Sequence, residues 1–271
     1  MKVAAIQMVS SPSVAENLRV AHTLVAQAAG LGAELVCLPE YFCALGLRDG
    51  DKLRWAETAG DGPIQRALAS WARQFGIWLA AGSVPLAADA EHVFNTSLLF
   101  NPQGDCVARY DKVHLFRFST ETERYDESQS VKAGGETVMA TVVDRQGERW
   151  NLGLSICYDL RFPELYRRYA QAGADVLLVP SAFTHMTGQA HWEVLLRARA
   201  IENQCYVLAA AQGGIHDNGR HTWGHSMLVD PWGVVVAVRD TEGAGVVLAE
   251  LNRELMRQKR EQLPALEHRI W

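Results

Sequence analysis

Gly153-Leu154-Ser155-Ile156-Cys157-Tyr158-Asp159-Leu160-Arg161-Phe162-Pro163-Glu164 reads as an apolar strand that delivers a cysteine, with a helix beginning just after it. A cysteine at such a junction stands at the edge of a sheet. The backbone N–H groups of the following helix favour a thiolate there and can hold an oxyanion on an attacked carbonyl. A buried structural thiol is the other reading of the same position, since free cysteine is among the most buried residue types. Strands are expected on the N-terminal side at 137–143 and 149–156. On the C-terminal side follow a helix over 162–172, a strand over 175–180, a helix over 189–203 and a strand over 205–211. Strands alternating with helices need cover on both sheet faces, which predicts an α/β layered fold.

The first half follows a similar plan. A buried strand is expected over 2–9. A helix follows over 13–29, with Ser13 as N-cap, Glu16 three residues on, and Gly30 and Gly32 at its end. Short strands are expected at 35–39 and 77–84, a helix from Pro63 to Phe75, and a hairpin of 94–100 with 106–111 around Asn101-Pro102-Gln103-Gly104. Residues 119–135 are polar and aperiodic and read as a long loop, a type that is usually functional inside a compact domain. Strands at 222–229, 234–239 and 245–249 and a helix over 252–262 complete the pattern. No linker interrupts it, so a single domain over 1–271 is expected.

The 271 residues are 48% hydrophobic and 21% charged, with a net charge of −5. That composition excludes a disordered chain, and a mildly acidic chain with no basic block is a poor nucleic-acid binder. No apolar run reaches the roughly 18 residues that suggest a membrane span. Five cysteines at irregular spacing (Cys37, Cys43, Cys106, Cys157 and Cys205) do not make a disulfide framework. Reduced thiols and the lack of a signal-peptide pattern predict a cytoplasmic protein.

Two further residues stand at the ends of expected strands. Glu40, in Leu38-Pro39-Glu40-Tyr41-Phe42, points where open α/β sheets bind ligands and could serve as a general base; a solvated loop glutamate is the plain alternative. Lys112, in Tyr110-Asp111-Lys112-Val113-His114-Leu115-Phe116, could stabilise an oxyanion or simply lie exposed. A cysteine–histidine pairing would draw on His114, His191 or His225. His221 and His225 have an H-x3-H spacing, but no C-x2-C or H-E-x-x-H accompanies them, so no metal site is expected. Gly153-x-Ser155-x-Cys157 lacks the last glycine of a serine-hydrolase elbow.

Taken together, Leu38-Pro39-Glu40, Asp111 to Phe116 and Cys157 to Leu165 resemble, in that order, the three signatures of the nitrilase-like carbon–nitrogen hydrolases. Val3-Ala4-Ala5-Ile6-Gln7-Met8 resembles the family's opening strand. Gly224-His225-Ser226-Met227-Leu228-Val229-Asp230-Pro231-Trp232-Gly233 resembles a late hairpin. The resemblance implies a four-layer α-β-β-α sandwich and covalent thiol catalysis without metal or organic cofactor. Cys157 would be the nucleophile, Glu40 the general base and Lys112 the oxyanion stabiliser, with the N–H of Tyr158 as second oxyanion donor. A second glutamate is implied before the cysteine strand, and Glu127 in Tyr125-Asp126-Glu127-Ser128 fits that place; Glu121, Glu123 and Glu136 are its neighbours.

The stretches 180–183, 187–207 and 209–214 resemble the family's amidases of deaminated small metabolites. The expected substrate is the 2-oxoglutaramyl peptide of deaminated glutathione, read as a primary amide that yields acid and ammonia. The alternatives are 2-oxoglutaramate, another amide or carbamoyl compound, or a binding protein that retains the fold. Such substrates are anions, and Arg161, Arg197 and Arg199 are the basic candidates. Glu193 either orients the substrate or pairs with Arg197 one helical turn on. The resemblance also implies a homodimer or higher homo-oligomer through the helices at 162–172 and 189–203, with the tail 263–271 crossing to the partner.

Overall fold

A computed structural model describes residues 1–119 and 124–270. Two mixed sheets form its centre, each built on three parallel strands. In the first, Lys2–Gln7, Leu35–Cys37 and Trp78–Ala80 run parallel. Gly245–Glu250 joins antiparallel at one edge, and Val93–Phe100 at the other carries Val84–Ala87 and Cys106–Asp111. In the second, Arg149–Leu154, Val176–Leu178 and Tyr206–Ala209 run parallel. Met139–Val143 flanks them on one side, and Met227–Val229 with Val235–Val238 on the other.

Alternation along the strands divides the interior. Val3 and Ala5 face one buried cluster, which runs on through the second sheet; Ala4 and Ile6 face another, shared with the first two helices. Helix α1 (Val14–Gly30) buries Ala21, Leu24, Val25 and Ala28, and α2 (Pro63–Phe75) buries Ile64, Leu68 and Trp71 against the same sheet face. Helices α3 (Pro163–Gln171) and α4 (His185–Asn203) bury Leu165, Tyr166, Trp192 and Leu196 against the second sheet. The order helix, sheet, sheet, helix is the expected four-layer sandwich. Helix α5 (Arg253–Gln262) follows the last strand, capped by Asn252, which accepts from the Leu255 N–H at 2.9 Å. No helix among the described residues is long and apolar enough to cross a membrane.

Several boundaries differ from expectation. The strand expected over 77–84 breaks at Gly82, which takes a left-handed φ of +56°. A Cβ on Gly82 would stand 2.0 Å from the Pro39 carbonyl oxygen, so this close approach sets the loop that carries Glu40. Gly82→Ala should therefore cost about 2–4 kcal/mol and lower turnover by about tenfold, checked by thermal melting and kinetics on the same preparation. Helix α4 starts at His185, four residues earlier than read, because the Thr184 side chain caps it. Gly188 weakens the helical signal there, yet a Cβ on it would lie 2.2 Å from that of Trp223, so packing demands the glycine. The strand read over 222–229 is two, His221–Trp223 and Met227–Val229, belonging to different sheets. The segment 119–135 is not loop throughout. Arg117–Ser119 pairs with Arg124–Asp126, and Glu127–Gln129 forms a 3-10 turn.

Candidate active site

The C-terminal ends of the parallel strands in both sheets open toward one cavity of about 440 Å³, where open sheets bind ligands. Glu40 follows Leu35–Cys37, Cys157 follows Arg149–Leu154, and Lys112 follows Cys106–Asp111 at the edge of the first sheet. All three line the cavity, with Glu127 from the 3-10 turn. The sequence scatters these residues over the chain, and the sandwich brings them together.

Lys112 is the hub. Its Nζ donates to Glu40 Oε1 and to Glu127 Oε2, both at 2.8 Å, and the side chain is 1% exposed. Glu40 Oε1 also accepts from Asn95 Nδ2 at 2.9 Å. Glu127 accepts from the Phe116 N–H at 2.7 Å and from the Tyr41 hydroxyl. Burial works against both charges, but the pairing prevails. Lys112 is held above its ordinary value by Glu127 and Glu40. Burial likewise opposes the charge of Glu127, yet Lys112 and Lys52 bring its carboxyl down to about 2. Glu127 is thus a fixed anion with its donors in place.

Cys157 is 7% exposed and opens the 3-10 turn Cys157–Arg161 rather than ending the strand. Its φ is +51°, and that of Tyr41 is +57°, so two left-handed non-glycine residues flank the cluster. Such strain persists where surrounding bonds over-determine the backbone. The Cys157 N–H donates to the Pro180 carbonyl at 2.9 Å. Asp159, fully buried, accepts from the Ile156 N–H at 2.9 Å, the Tyr110 hydroxyl at 2.7 Å and the His114 N–H at 3.0 Å. Arg199 donates to the Leu160 carbonyl through Nε at 3.0 Å and Nη2 at 2.8 Å. These bonds fix the turn that aims the sulfur.

The thiolate expected from the helix terminus is corrected here. Burial, then the negative charge of Glu40, pushes the Cys157 thiol well above its ordinary value, and Lys112 only offsets this. At rest Cys157 is a neutral thiol, and attack through its sulfur would need a base. Of the carboxylates on Lys112, Glu127 is committed to its donors, while Glu40 also acts directly on the Cys157 thiol.

Tyr158 and Arg161 line the cavity, Arg161 lying over the rings of Tyr158 and Phe183. Glu193 and Arg197 do not. They form an exposed pair at 3.5 Å on α4, and Arg197 Nε donates to the Gly233 carbonyl, so an oxyanion or substrate role for either is withdrawn. The i, i+4 spacing served the helix surface instead. Glu136 is exposed beside a separate groove, and Glu121 and Glu123 lie outside the described residues. Among the described residues lining the cavity there is no histidine: His114 faces Asp159, His191 faces Arg161, and His225 stacks on Trp223. His221 and His225 do not converge. His221 instead meets His185 and Glu242, three groups with ligand atoms within 4.8 Å that could hold a metal away from the cavity.

Tyr41, Asn95, Lys52 and Arg220 escaped the sequence reading. Asn95 carried a signal, a polar residue inside an otherwise buried strand, and such groups need a partner. Lys52 and Arg220 come from turns with no periodicity to flag them.

A family model described as carbon-nitrogen hydrolase matches residues 2–261. The deaminated glutathione amidase of Synechocystis sp. is 47% identical over 271 residues, covering 99% of this chain and 97% of that one. The crystal structure of the Caenorhabditis elegans NitFhit protein superposes with a TM-score of 0.90 at 42% identity; it covers 99% of this chain, which spans only 65% of that longer one. Saccharomyces cerevisiae Nit3, described as a member of branch 10 of the nitrilase superfamily, gives 0.87 at 32% identity, covering 100% of this chain and 97% of that one.

Proposed function

The chain belongs to the carbon–nitrogen hydrolase family, and we propose that it cleaves the amide bond of deaminated glutathione through a thioester on Cys157. The observation that carries the chemistry is the buried Glu40–Lys112–Glu127 network set against a neutral thiol in one cavity. The substrate is supported by the name of the Synechocystis relative.

In the first step Glu40 takes the Cys157 proton as sulfur attacks the amide carbonyl. Lys112 Nζ and the N–H of Tyr158 hold the oxyanion. Glu40 then returns the proton to the amide nitrogen, the C–N bond breaks, and the amine departs. In the second step Glu40 deprotonates a water that attacks the thioester. The collapse releases the acid and restores the thiol. Glu127 positions Lys112 and transfers no proton. Each step has its residue, so no metal or organic cofactor is called for.

The leaving group needs correction on chemical grounds. In deaminated glutathione the 2-oxoglutaryl group is bound to the nitrogen of cysteinylglycine, a secondary amide. The products are 2-oxoglutarate and cysteinylglycine; ammonia leaves only from 2-oxoglutaramate. The test is to assay both compounds with wild type and Cys157→Ala. Faster release of cysteinylglycine, lost in the variant, supports the reading. A preference for 2-oxoglutaramate moves the assignment to that amide. Turnover retained by Cys157→Ala removes the mechanism.

The single domain over 1–271, a cytoplasmic site of action and a homodimer or higher homo-oligomer are part of the same proposal. Val194 and Ile201 on α4, with Leu263 and Ile270 in the tail, are exposed apolar residues that suit a helical interface. The five free thiols suit a reducing compartment. A monomer in light scattering would remove the oligomer.

A further inference from the structure

The cavity carries more positive charge than the chemistry described above uses. Lys112 is consumed by Glu40 and Glu127. Lys52, Arg161 and Arg220 also line the wall, and Arg161 shares a contact with His191. Lys52 and Arg220 have no ion-pair partner among the described residues. Lys52 Nζ sits over the Tyr41 ring, 5.4 Å from its centre. Burial lowers the pKa of the Lys52 ammonium from its ordinary value, against the through-space pull of Glu127 and Asp49.

Arg220 is held in a built position. It lies between Gly213–Ile215 and His221–Trp223, the two strands of a hairpin. Its backbone N–H donates to Asn218 Oδ1 at 2.9 Å, and Asn218 Nδ2 donates to the Gly46 carbonyl at 2.7 Å, which pins this turn to a second segment of the cavity wall. Arg220 Nη2 donates to the Ala182 carbonyl at 2.7 Å, and the guanidinium lies over the Tyr125 ring. Its Nε is buried and has no hydrogen-bond partner among the described residues. A buried donor left unpaired is destabilising, a cost that an anionic ligand would remove.

We infer that Arg220 and Lys52, both in the wall of the cavity, form a carboxylate subsite that anchors the substrate beside the reacting cluster. This deepens the proposed function and rests on it for the identity of the substrate. A guanidinium offers paired donors that match a carboxylate, and the ammonium adds a second charge. Deaminated glutathione has a carboxylate on each side of its scissile bond: the 2-oxo acid on the acyl side and the terminal glycine on the amine side. The subsite takes one of them.

The test reads binding without turnover. Cys157 is alkylated with iodoacetamide in the presence of 2-oxoglutarate or, separately, S-methyl-cysteinylglycine, using wild type, Arg220→Gln, Arg220→Lys and Lys52→Gln, with thermal melting as the folding control. In Arg220→Gln the concentration of one compound needed for protection should rise about 10–100-fold, and Arg220→Lys should recover part of it. A rise with 2-oxoglutarate assigns the acyl-side carboxylate; a rise with the dipeptide assigns the amine side. Protection that does not depend on Arg220 with either compound overturns the subsite. Arg220-dependent protection in a protein that hydrolyses neither amide would sink the proposed substrate while leaving the subsite standing.

Discussion

Glu40→Gln should cut amide turnover by about 10³-fold while making Cys157 react faster with iodoacetamide. Two separate terms give these opposite signs. In the proposed mechanism turnover asks Glu40 to accept the thiol proton, return a proton to the amine and activate water, and positioned acid–base catalysis of this kind is worth about 10²–10⁴ in rate. Alkylation requires the thiolate but no water activation and no amine protonation. In the resting protein, burial and then the charge of Glu40 keep the thiol protonated, while Lys112 pulls the other way. Glutamine removes the negative charge and leaves the ammonium, so the thiol pKa falls. Paired measurements of kcat/KM and of the alkylation rate across about pH 6–9 check this, the second curve moving to lower pH in the variant. If alkylation slows in parallel with turnover, Glu40 is needed to ionise the thiol and the electrostatic reading of the site is wrong.

Lys112→Met should be the most damaging substitution to the cluster, for stability as well as rate. Methionine fills much of the volume of the lysine stem but leaves Glu40 and Glu127 buried without their shared cation. Breaking one partner out of a buried ionic group costs about 3–5 kcal/mol. Loss of the proposed oxyanion donor should remove a further factor of about 10²–10³ from kcat. The pH dependence carries the signature. In the wild type the Glu127 carboxyl is lowered from 4.5 to about 2. Its contribution is therefore fully present above the ordinary value and disappears as pH falls toward the folded one. Without Lys112, two carboxylates share a buried site, and at least one must take up a proton on folding. Its pKa is then raised, so the variant should lose stability as pH rises above about 5, where the contribution of Glu127 to the wild type is level. Urea unfolding at several pH values resolves the two slopes. Equal slopes would mean that the pairing of Lys112 with Glu127 does not set the charge state of the site.

The parts of this site that can be read in the sequence share one property. Glu40, Lys112 and Cys157 each follow a short strand, so strand patterning and the turn signals around it place them at strand ends, and residue type supplies the chemistry. Glu127 depends on a segment without periodicity, and its burial against Lys112 and Tyr41 comes only from the folded chain. Lys52 and Arg220 lie far apart in sequence and reach one cavity wall through a turn and a hairpin. The expected thiolate failed for a different reason. The position of Cys157 after its strand was correctly read, but the depth of the residue sets the sign of its pKa shift, and depth depends on how both sheets and the 3-10 turn close over it. Glu193 and Arg197 show the converse error. Their spacing serves a helix surface, and proximity in sequence to apparent site residues did not bring them into the cavity.

The most direct measurement is rapid acid quench of the wild-type protein during turnover of deaminated glutathione, with mass spectrometry of the peptide that carries Cys157. The account predicts a 2-oxoglutaryl thioester on Cys157 that forms as cysteinylglycine is released and decays to 2-oxoglutarate, and that is absent in Cys157→Ala. Cysteinylglycine released with no acyl adduct on Cys157, or at an undiminished rate from Cys157→Ala, would contradict it.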